Sequence, residues 1–483
     1  MRPPPQTSAR DLALALDAVG YTEGAVRSLL GLPHPWNYLP AWRPLLLARL
    51  EESPGPLADA LAALFLDEPV ADPHGDWVIP ARTAGLLEGG FIVWPYRGLL
   101  LISDPPGPRG MKLQGPRLPM RDRVFPVDAS TDLLLQSLVP IQPNTRTLDL
   151  GCGTGVLSLL HEGTVGTDIN PRCLAFADFN RQLNGRPPVD WRQGDLLGPA
   201  HGERFDRVLS NLPFVPTPDD GEDGHAWYWD GGHRGQALAA RLLQGLPDVL
   251  TPGGMAQFTC GLVNSSTEDA LSVLAGWLGD PSMSLLALYG TPQDMARSIP
   301  LLATSEADPH EADYPAVVRR WWSAARTADI HEVAPAVVTV VHDGGGMRAA
   351  FPMAPGRQDF GPAIERMLKG WRHLQRPAEW EAWRTVRLVP VPGLHLVQEQ
   401  IWEGEDWGDT PCRVGFTDRP WRLQQTLGRD SVRVLRRCDG LRPLEDVVFA
   451  FCMESGRDPS TVRARLLEAL PTWISSGLLE VVE

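Results

Sequence analysis

Three groups of residues have the types and spacing to do chemistry. The first is the stretch TLDLGCGTGVLSLL at 147–160, where an apolar run carrying Asp149 meets Gly151, Gly153 and Gly155. Glycines suit a turn that needs positive φ and lets a ligand approach bare main chain, so the stretch reads as strand, nucleotide-binding loop, helix. The second is Asp168, about 20 residues beyond the loop at the end of another apolar strand, where a βαβ unit presents a carboxylate to a ribose. The third is Asn211-Leu212-Pro213-Phe214, directly after the apolar run 205–210. Gly194-Asp195 adds a polar pair behind a third strand. A glycine turn alone often serves only packing; the acidic residue and the tetrapeptide at these distances favour ligand binding.

Those residues need strands that end together. Periodicity predicts strands at 147–150, 165–169, 189–193, 207–210 and 255–259. Helices are predicted at 156–162, at 171–183 with Pro171 at its first position and Gly185 past its end, and at 235–250. Repeated βα units imply an α/β fold with a doubly wound, parallel, Rossmann-like sheet and ligands at the carboxyl ends of its strands. A strand at 284–289, a helix at 314–328 and a last strand at 334–342 complete it, and the glycines at 344–346 mark a boundary.

Upstream, apolar residues at three-and-four spacing over 11–19, 23–30, 45–51 and 57–66 precede strand-like runs 91–95 and 99–103. Downstream, helical patterns at 444–453 and 459–470 precede the apolar run 477–482, where SGLLEVV echoes AGLLEGGFIV at 84–93. Both flanks therefore read as α+β and winged-helix-like. The expected division is 1–120, 121–345 and 346–483.

At 483 residues the chain exceeds one core, and 43% hydrophobic with 21% charged residues is ordinary globular composition. A net charge of −15 excludes a wholly basic nucleic-acid clamp but not a local basic face. Such a strip is offered by Arg109, Lys112, Arg117, Arg121 and Arg123, although their Pro/Gly-rich segment reads first as a solvated linker. Six cysteines without C-x-x-C spacing support neither a metal site nor a disulfide framework, so no metal is expected. The N-terminal MRPPPQTSARDLALALDAVG lacks signal-peptide character, and no run approaches the ~20 apolar residues that cross a bilayer. No membrane partner and a cytoplasmic location are expected.

Together DLGCGTG, Asp168, Gly194-Asp195 and NLPF resemble the class I S-adenosylmethionine-dependent methyltransferases, over roughly 123–341. The likeness is to the branch with an NPPY-type motif, which methylates planar nitrogens: the amide of glutamine in release factors, or amino groups of adenine and guanine. The resemblance implies S-adenosyl-L-methionine as cofactor, with Asp149, Gly151, Gly153, Gly155, Asp168, Asp195 and Asn211 as its contacts. It implies Asn211, Leu212, Pro213 and Phe214 as the catalytic group. The Asn211 side-chain oxygen and the Leu212 carbonyl each accept one N–H of the acceptor, Pro213 sets the turn, and Phe214 stacks on the substrate plane. The pattern departs from NPPY at Leu212, which makes the turn less rigid, although NLP[Y/F] occurs in ribosomal-RNA adenine dimethylases.

Residues 124–138, VFPVDASTDLLLQSL, are similar to the segment before the first strand in the release-factor enzymes, with Phe125, Pro126 and Thr131 at the matching places. Thr131 reads equally as a helix cap. The loop 218–235, with Trp227, Tyr228, Trp229 and the Gly231-Gly232 pair, reads as a lid, and its acidic residues Asp219, Asp220, Glu222 and Asp223 disfavour phosphates. His225 and His233 read as loop hydrogen bonders. The expected activity is methylation of a protein glutamine. The alternatives are a nucleobase amino group (adenine N6 or guanine N2 in rRNA or DNA) and a non-catalytic protein that only senses the cofactor.

Overall fold

The computed structural model describes residues 9–37, 42–71, 73–87, 90–105, 122–218, 227–232, 234–264, 267–304, 306–307, 312–353, 360–398, 400–402, 407–409, 411–416 and 425–482. Arg109, Lys112, Arg117 and Arg121 of the basic strip, the acidic residues Asp219, Asp220, Glu222 and Asp223, and His225 and His233 lie outside them.

Strands β1 (Ile92–Tyr96) and β2 (Leu99–Ser103) pair as an antiparallel hairpin. Its two-residue turn has φ 48° at Arg97 and 74° at Gly98, the doubly positive turn that matches strand twist. The central sheet follows. It contains β3 (Thr147–Leu150), β4 (Thr164–Asp168), β5 (Asp190–Gln193), β6 (Phe205–Asn211), β7 (Leu250–Val263), β8 (Ser284–Tyr289), β9 (Gln293–Asp294), β10 (Glu332–Val341) and β11 (Arg348–Pro352). The order is β11-β8-β10-β7-β6-β3-β4-β5, with β9 beside β10. Residues in β3, β4 and most of β7 are buried on both faces, as strands covered on each side must be.

From β3 to β7 the strands are parallel, and their carboxyl ends meet at the glycine turn. The all-parallel expectation fails at β10, which runs antiparallel to both β7 and β8. After β8 the chain forms β9 against the start of β10, at Glu332 and Val333. The chain thus re-enters the sheet at the end where β8 left it, and β10 must run back. The result is a mixed central sheet covered by helices.

The expected end of this layer at 345 fails as well. Strand β11 adds in parallel to β8, and the helix Phe360–His373 packs Phe360, Ile364, Met367 and Trp371 against Leu286, Leu288, Val341 and Ala349. An added Cβ at Gly361 stands 1.9 Å from the Leu138 carbonyl oxygen, so this helix lies directly on the end of the helix Ala129–Ser137. Its expected counterpart at residue 120 is similarly blurred. Leu12, Leu16, Leu61, Phe65 and Trp94 share one core with Leu157, Phe176 and Phe179 of the central layer.

Two asparagines seal that junction. On the helix Pro171–Leu183, Asn180 accepts from Ile102 N at 2.8 Å and donates to Ile102 O at 3.1 Å. Asn184, one turn on, does the same with Leu100, both at 2.8 Å. Spaced by four on a helix, the two amides imitate a strand edge facing alternate residues of β2. The N-terminal flank places helices before the β1–β2 hairpin; the C-terminal flank pairs Arg387–Pro390 with Leu479–Val482 around its last helices and adds short antiparallel strands, Leu394–Val397, Cys412–Phe416 and Gln425–Leu427 in one sheet and Gln400–Trp402 with Trp407–Asp409 in another. Among the described residues no helix is long and apolar enough to cross a membrane, and no three His, Cys, Asp or Glu converge.

Candidate functional site

The carboxyl ends of β3, β4 and β6 open onto a cavity of about 380 Å³, within the range of small-ligand sites. Leu150 passes into the glycine turn, where Gly151 and Gly153 hold φ of 67° and 54°. A Cβ built on either meets no described atom within 4 Å, so among the described residues both leave open space beside bare backbone. Gly155 is needed for a different reason: a Cβ there stands 2.9 Å from the Ala177 side chain, where the helix Pro171–Leu183 crosses the turn.

Asp168, the last residue of β4, lines the cavity. Its Oδ2 accepts from Gly153 N at 2.9 Å and its Oδ1 from Asn170 N at 2.8 Å, which fixes the plane of the carboxylate. Burial raises its pKa above the usual carboxylate range, while these two amides pull it back. Cys152 and Cys173 also line the cavity, and burial pushes both thiols up, so they stay neutral. Asp195 sits at the rim, half exposed, with its Oδ2 2.7 Å from the Arg241 guanidinium.

Asp149 departs from its expected place as a cofactor contact. It is fully buried beneath the turn and does not line the cavity. Its Oδ2 accepts both Ser158 N at 3.1 Å and Ser158 Oγ at 2.7 Å, tying β3 to the helix Val156–Leu160. Among the described residues its Oδ1 has no partner, and burial pushes its carboxyl up to about 7.

Asn211 closes β6, and its amide is held from three sides. Nδ2 donates to Thr131 Oγ1 at 3.0 Å, and Oδ1 accepts from Thr259 Oγ1 at 2.7 Å and from Ser130 Oγ at 3.0 Å. Ser130 and Thr131 open the helix Ala129–Ser137, whose cap Asp128 receives both of their backbone amides on Oδ1. The far end of that helix is held by Gln257, which donates to Ser137 O at 2.7 Å and accepts from Val139 N at 2.8 Å. Gln257 and Thr259 alternate along β7 and so face the same side. Thr131 is therefore not the cap that its sequence context also suggested, since Asp128 holds that place; its hydroxyl binds the motif residue 80 positions away.

The motif's other members divide. Leu212 and Pro213 line the cavity, with the Leu212 side chain anchored in the central core. Among the described residues no hydrogen bond reaches the Leu212 carbonyl. Phe214 does not line the cavity, contrary to its expected stacking role; its ring lies toward Gly261 of β7. The reason is the loop after it. Val215 N donates to Trp229 O, Gly231 N to Val215 O and Thr217 N to Gly232 O, which zips 215–217 to 229–232 and turns Phe214 away. A Cβ on Gly231 or Gly235 comes within 2.8 Å of Phe214 backbone atoms, so that close pairing requires glycine. Aromatic surface at the mouth comes instead from Phe125 and Tyr228, stacked at 4.4 Å between centroids and 10° between planes, with Trp227 beside them.

Sequence reasoning missed Thr259, Gln257, Ser130 and Arg241. The signal for the first two was present: polar residues alternating inside the buried run MAQFTCGLV. Ser130 and Arg241 left no such mark.

The methyltransferase small domain family matches residues 124–224. A Methanocaldococcus jannaschii protein, provisionally named a protein N5-glutamine methyltransferase, is 31% identical over 154 residues, 30% of this chain and 77% of that protein. The release factor glutamine methyltransferase of Moorella thermoacetica is 31% identical over 232 residues, covering 45% of this chain and 73% of that enzyme. The tRNA1(Val) (adenine(37)-N6)-methyltransferase of Vibrio cholerae is 28% identical over 155 residues, covering 30% and 64%. The first two of these relatives, each above 30% identity and covered over more than two thirds of its length, show that this chain belongs to the class I S-adenosylmethionine-dependent methyltransferases and is an N-methyltransferase using S-adenosyl-L-methionine.

Proposed function

We propose that the chain methylates the side-chain amide nitrogen of a protein glutamine. The observation that carries this reading is the pair of acceptors at one end of the cavity. The Leu212 carbonyl takes no hydrogen bond among the described residues, and Asn211 Oδ1 takes one from a serine with another outlet. Ser130 has a single proton, and Asp128 Oδ1 lies closer to it, at 2.7 Å, than Asn211 does. When an acceptor N–H arrives, Ser130 turns to the carboxylate and Asn211 Oδ1 takes the new donor. Two accepted N–H groups orient an NH2 so that its lone pair faces the methyl donor.

When bound, S-adenosyl-L-methionine supplies an electrophilic methyl group on a positively charged sulfur. The open backbone at Gly151 and Gly153 would admit it, Asp168 would accept its ribose hydroxyls, and Asp195 with Arg241 would lie at its adenine end. That methyl group would be the electrophile for the lone pair of the held acceptor nitrogen, which would give up one proton. Asn211 and Leu212 are the residues that hold the acceptor through this step. Pro213 sets the turn between strand end and loop, and Phe214 supports it from behind. The flanks, winged-helix-like on this reading, present the acceptor macromolecule, and the setting is cytoplasmic.

A nucleobase amino group is the second reading, favoured by the Phe125–Tyr228 stack, which offers a planar base a face. Methyl-labelled cofactor incubated with the protein and cell extract separates the readings. Label that resists RNase and hydrolyses to N5-methylglutamine supports the proposal. Label recovered in N6-methyladenine or N2-methylguanine overturns it, and cofactor binding without any transfer favours a sensing role.

A further inference from the structure

We infer that Thr131 is a positioning residue that sets which way the Asn211 amide faces, and that Asp128 imposes this on Thr131. The inference rests on the catalytic reading of Asn211 given above. An asparagine amide has two nearly isosteric faces, and only one of them, with oxygen toward the acceptor, can take an N–H. Its orientation must therefore be imposed by neighbours.

Thr131 Oγ1 lies 3.1 Å from Asp128 Oδ1 and 3.0 Å from Asn211 Nδ2. Asp128 Oδ1 already accepts the backbone N–H groups of Ser130 and Thr131 and so acts as an acceptor, which points the single hydroxyl proton of Thr131 at it. The oxygen then has only lone pairs for Asn211 and must receive an N–H from it. Thr259 completes the assignment from the other side, giving its proton to Asn211 Oδ1 at 2.7 Å. A flipped amide sets its oxygen against the lone pairs of Thr131 and its NH2 against the proton of Thr259. Thr131 is nearly buried although it lines the cavity wall, so these protein groups are its near partners. One carboxylate at a helix cap thus determines, through one hydroxyl, the polarity of a group on a different strand. Neither Thr131 nor Asp128 has to touch cofactor or acceptor for this.

The test compares Thr131→Val, Thr131→Ser, Asp128→Asn and Asn211→Ala. Turnover is measured with methyl-labelled S-adenosyl-L-methionine and the extract fraction that wild type labels, cofactor affinity by calorimetry, and the Asn211 side-chain amide by 15N NMR, its signals assigned by their loss in Asn211→Ala. Valine keeps the shape of threonine without the hydroxyl. It is expected to lower kcat about 100-fold, the scale of a misplaced catalytic group, with cofactor affinity within about threefold and the amide signals shifted or exchange-broadened. Thr131→Ser recovers most of the rate. Asp128→Asn keeps a good helix cap and loses rate to a smaller degree; should the valine variant not fold, this variant decides. Full turnover with an unmoved Asn211 amide in Thr131→Val, or full turnover in Asp128→Asn, overturns the inference. Full turnover in Asn211→Ala instead sinks the catalytic reading, and is distinguishable because the NMR comparison does not depend on any acceptor.

Discussion

Asp149→Asn is expected to stabilise the protein above neutral pH. The wild-type carboxyl is fully buried and sits at about 7 against 3.8 for the free group, chiefly because burial penalises its charge. Its folded-state pKa is raised, so between about pH 4 and pH 7 the folded chain holds a proton that the unfolded chain has released. Stability from this group is therefore complete below about pH 4 and declines as pH rises to about 7, where both states are ionised and the loss levels off. At roughly 1.4 kcal/mol per pH unit the decline amounts to about 4 kcal/mol. Asparagine suits the site because both Ser158 hydrogen bonds fall on Oδ2. The amide oxygen can take that position and keep both, while the NH2 falls where Oδ1 now has no partner among the described residues. Leaving that NH2 unpaired costs about 1–3 kcal/mol, so the net gain at pH 8 is about 1–3 kcal/mol, a Tm rise of a few degrees. Thermal melts from pH 4 to 8 measure it, and calorimetry with S-adenosyl-L-methionine should show affinity within about threefold. A variant no more stable than wild type at pH 8, with the same pH slope, would refute the buried-charge argument. A large loss of affinity would return Asp149 to the cofactor contacts.

Asp168→Asn should raise the cofactor Kd by about 100-fold in calorimetry, since one amide oxygen cannot serve both Gly153 N and Asn170 N and still accept ribose hydroxyls. Asn211→Ala should abolish turnover while the calorimetric cofactor Kd moves little; equal loss of both would contradict the role given to Asn211. Asn180→Leu leaves the Ile102 amide and two carbonyls, Ile102 and Thr154, unpaired in the interior. A loss of about 3–5 kcal/mol is expected, with hydrogen exchange quickening at Ile102 before the central strands. Gly361→Val drives side-chain atoms into the Leu138 carbonyl and should lower both Tm and kcat, because that contact backs the helix that carries Thr131; unchanged melting would show that the C-terminal helix does not brace the site.

The features that could be read from the residues alone are those encoded within one strand, turn and helix. Gly151 and Gly153 announce a turn because positive φ is a local demand, and Asp168 and Asn211 announce themselves by ending apolar runs. Strand β8 appears at the predicted residues for the same reason. Tertiary structure decided whatever depends on partners distant along the chain. The reversal of β10 follows from the end at which the chain re-enters the sheet, and β11 joins past a glycine run that looks like a boundary. Phe214 leaves the cavity because a loop base zips behind it, and Asn211 is oriented by residues 80, 81 and 48 positions away. Hydrogen-bond partners of this kind carry no periodicity: any Ser or Thr can supply a hydroxyl, and only the packing of strand ends against the capped helix selects which one does.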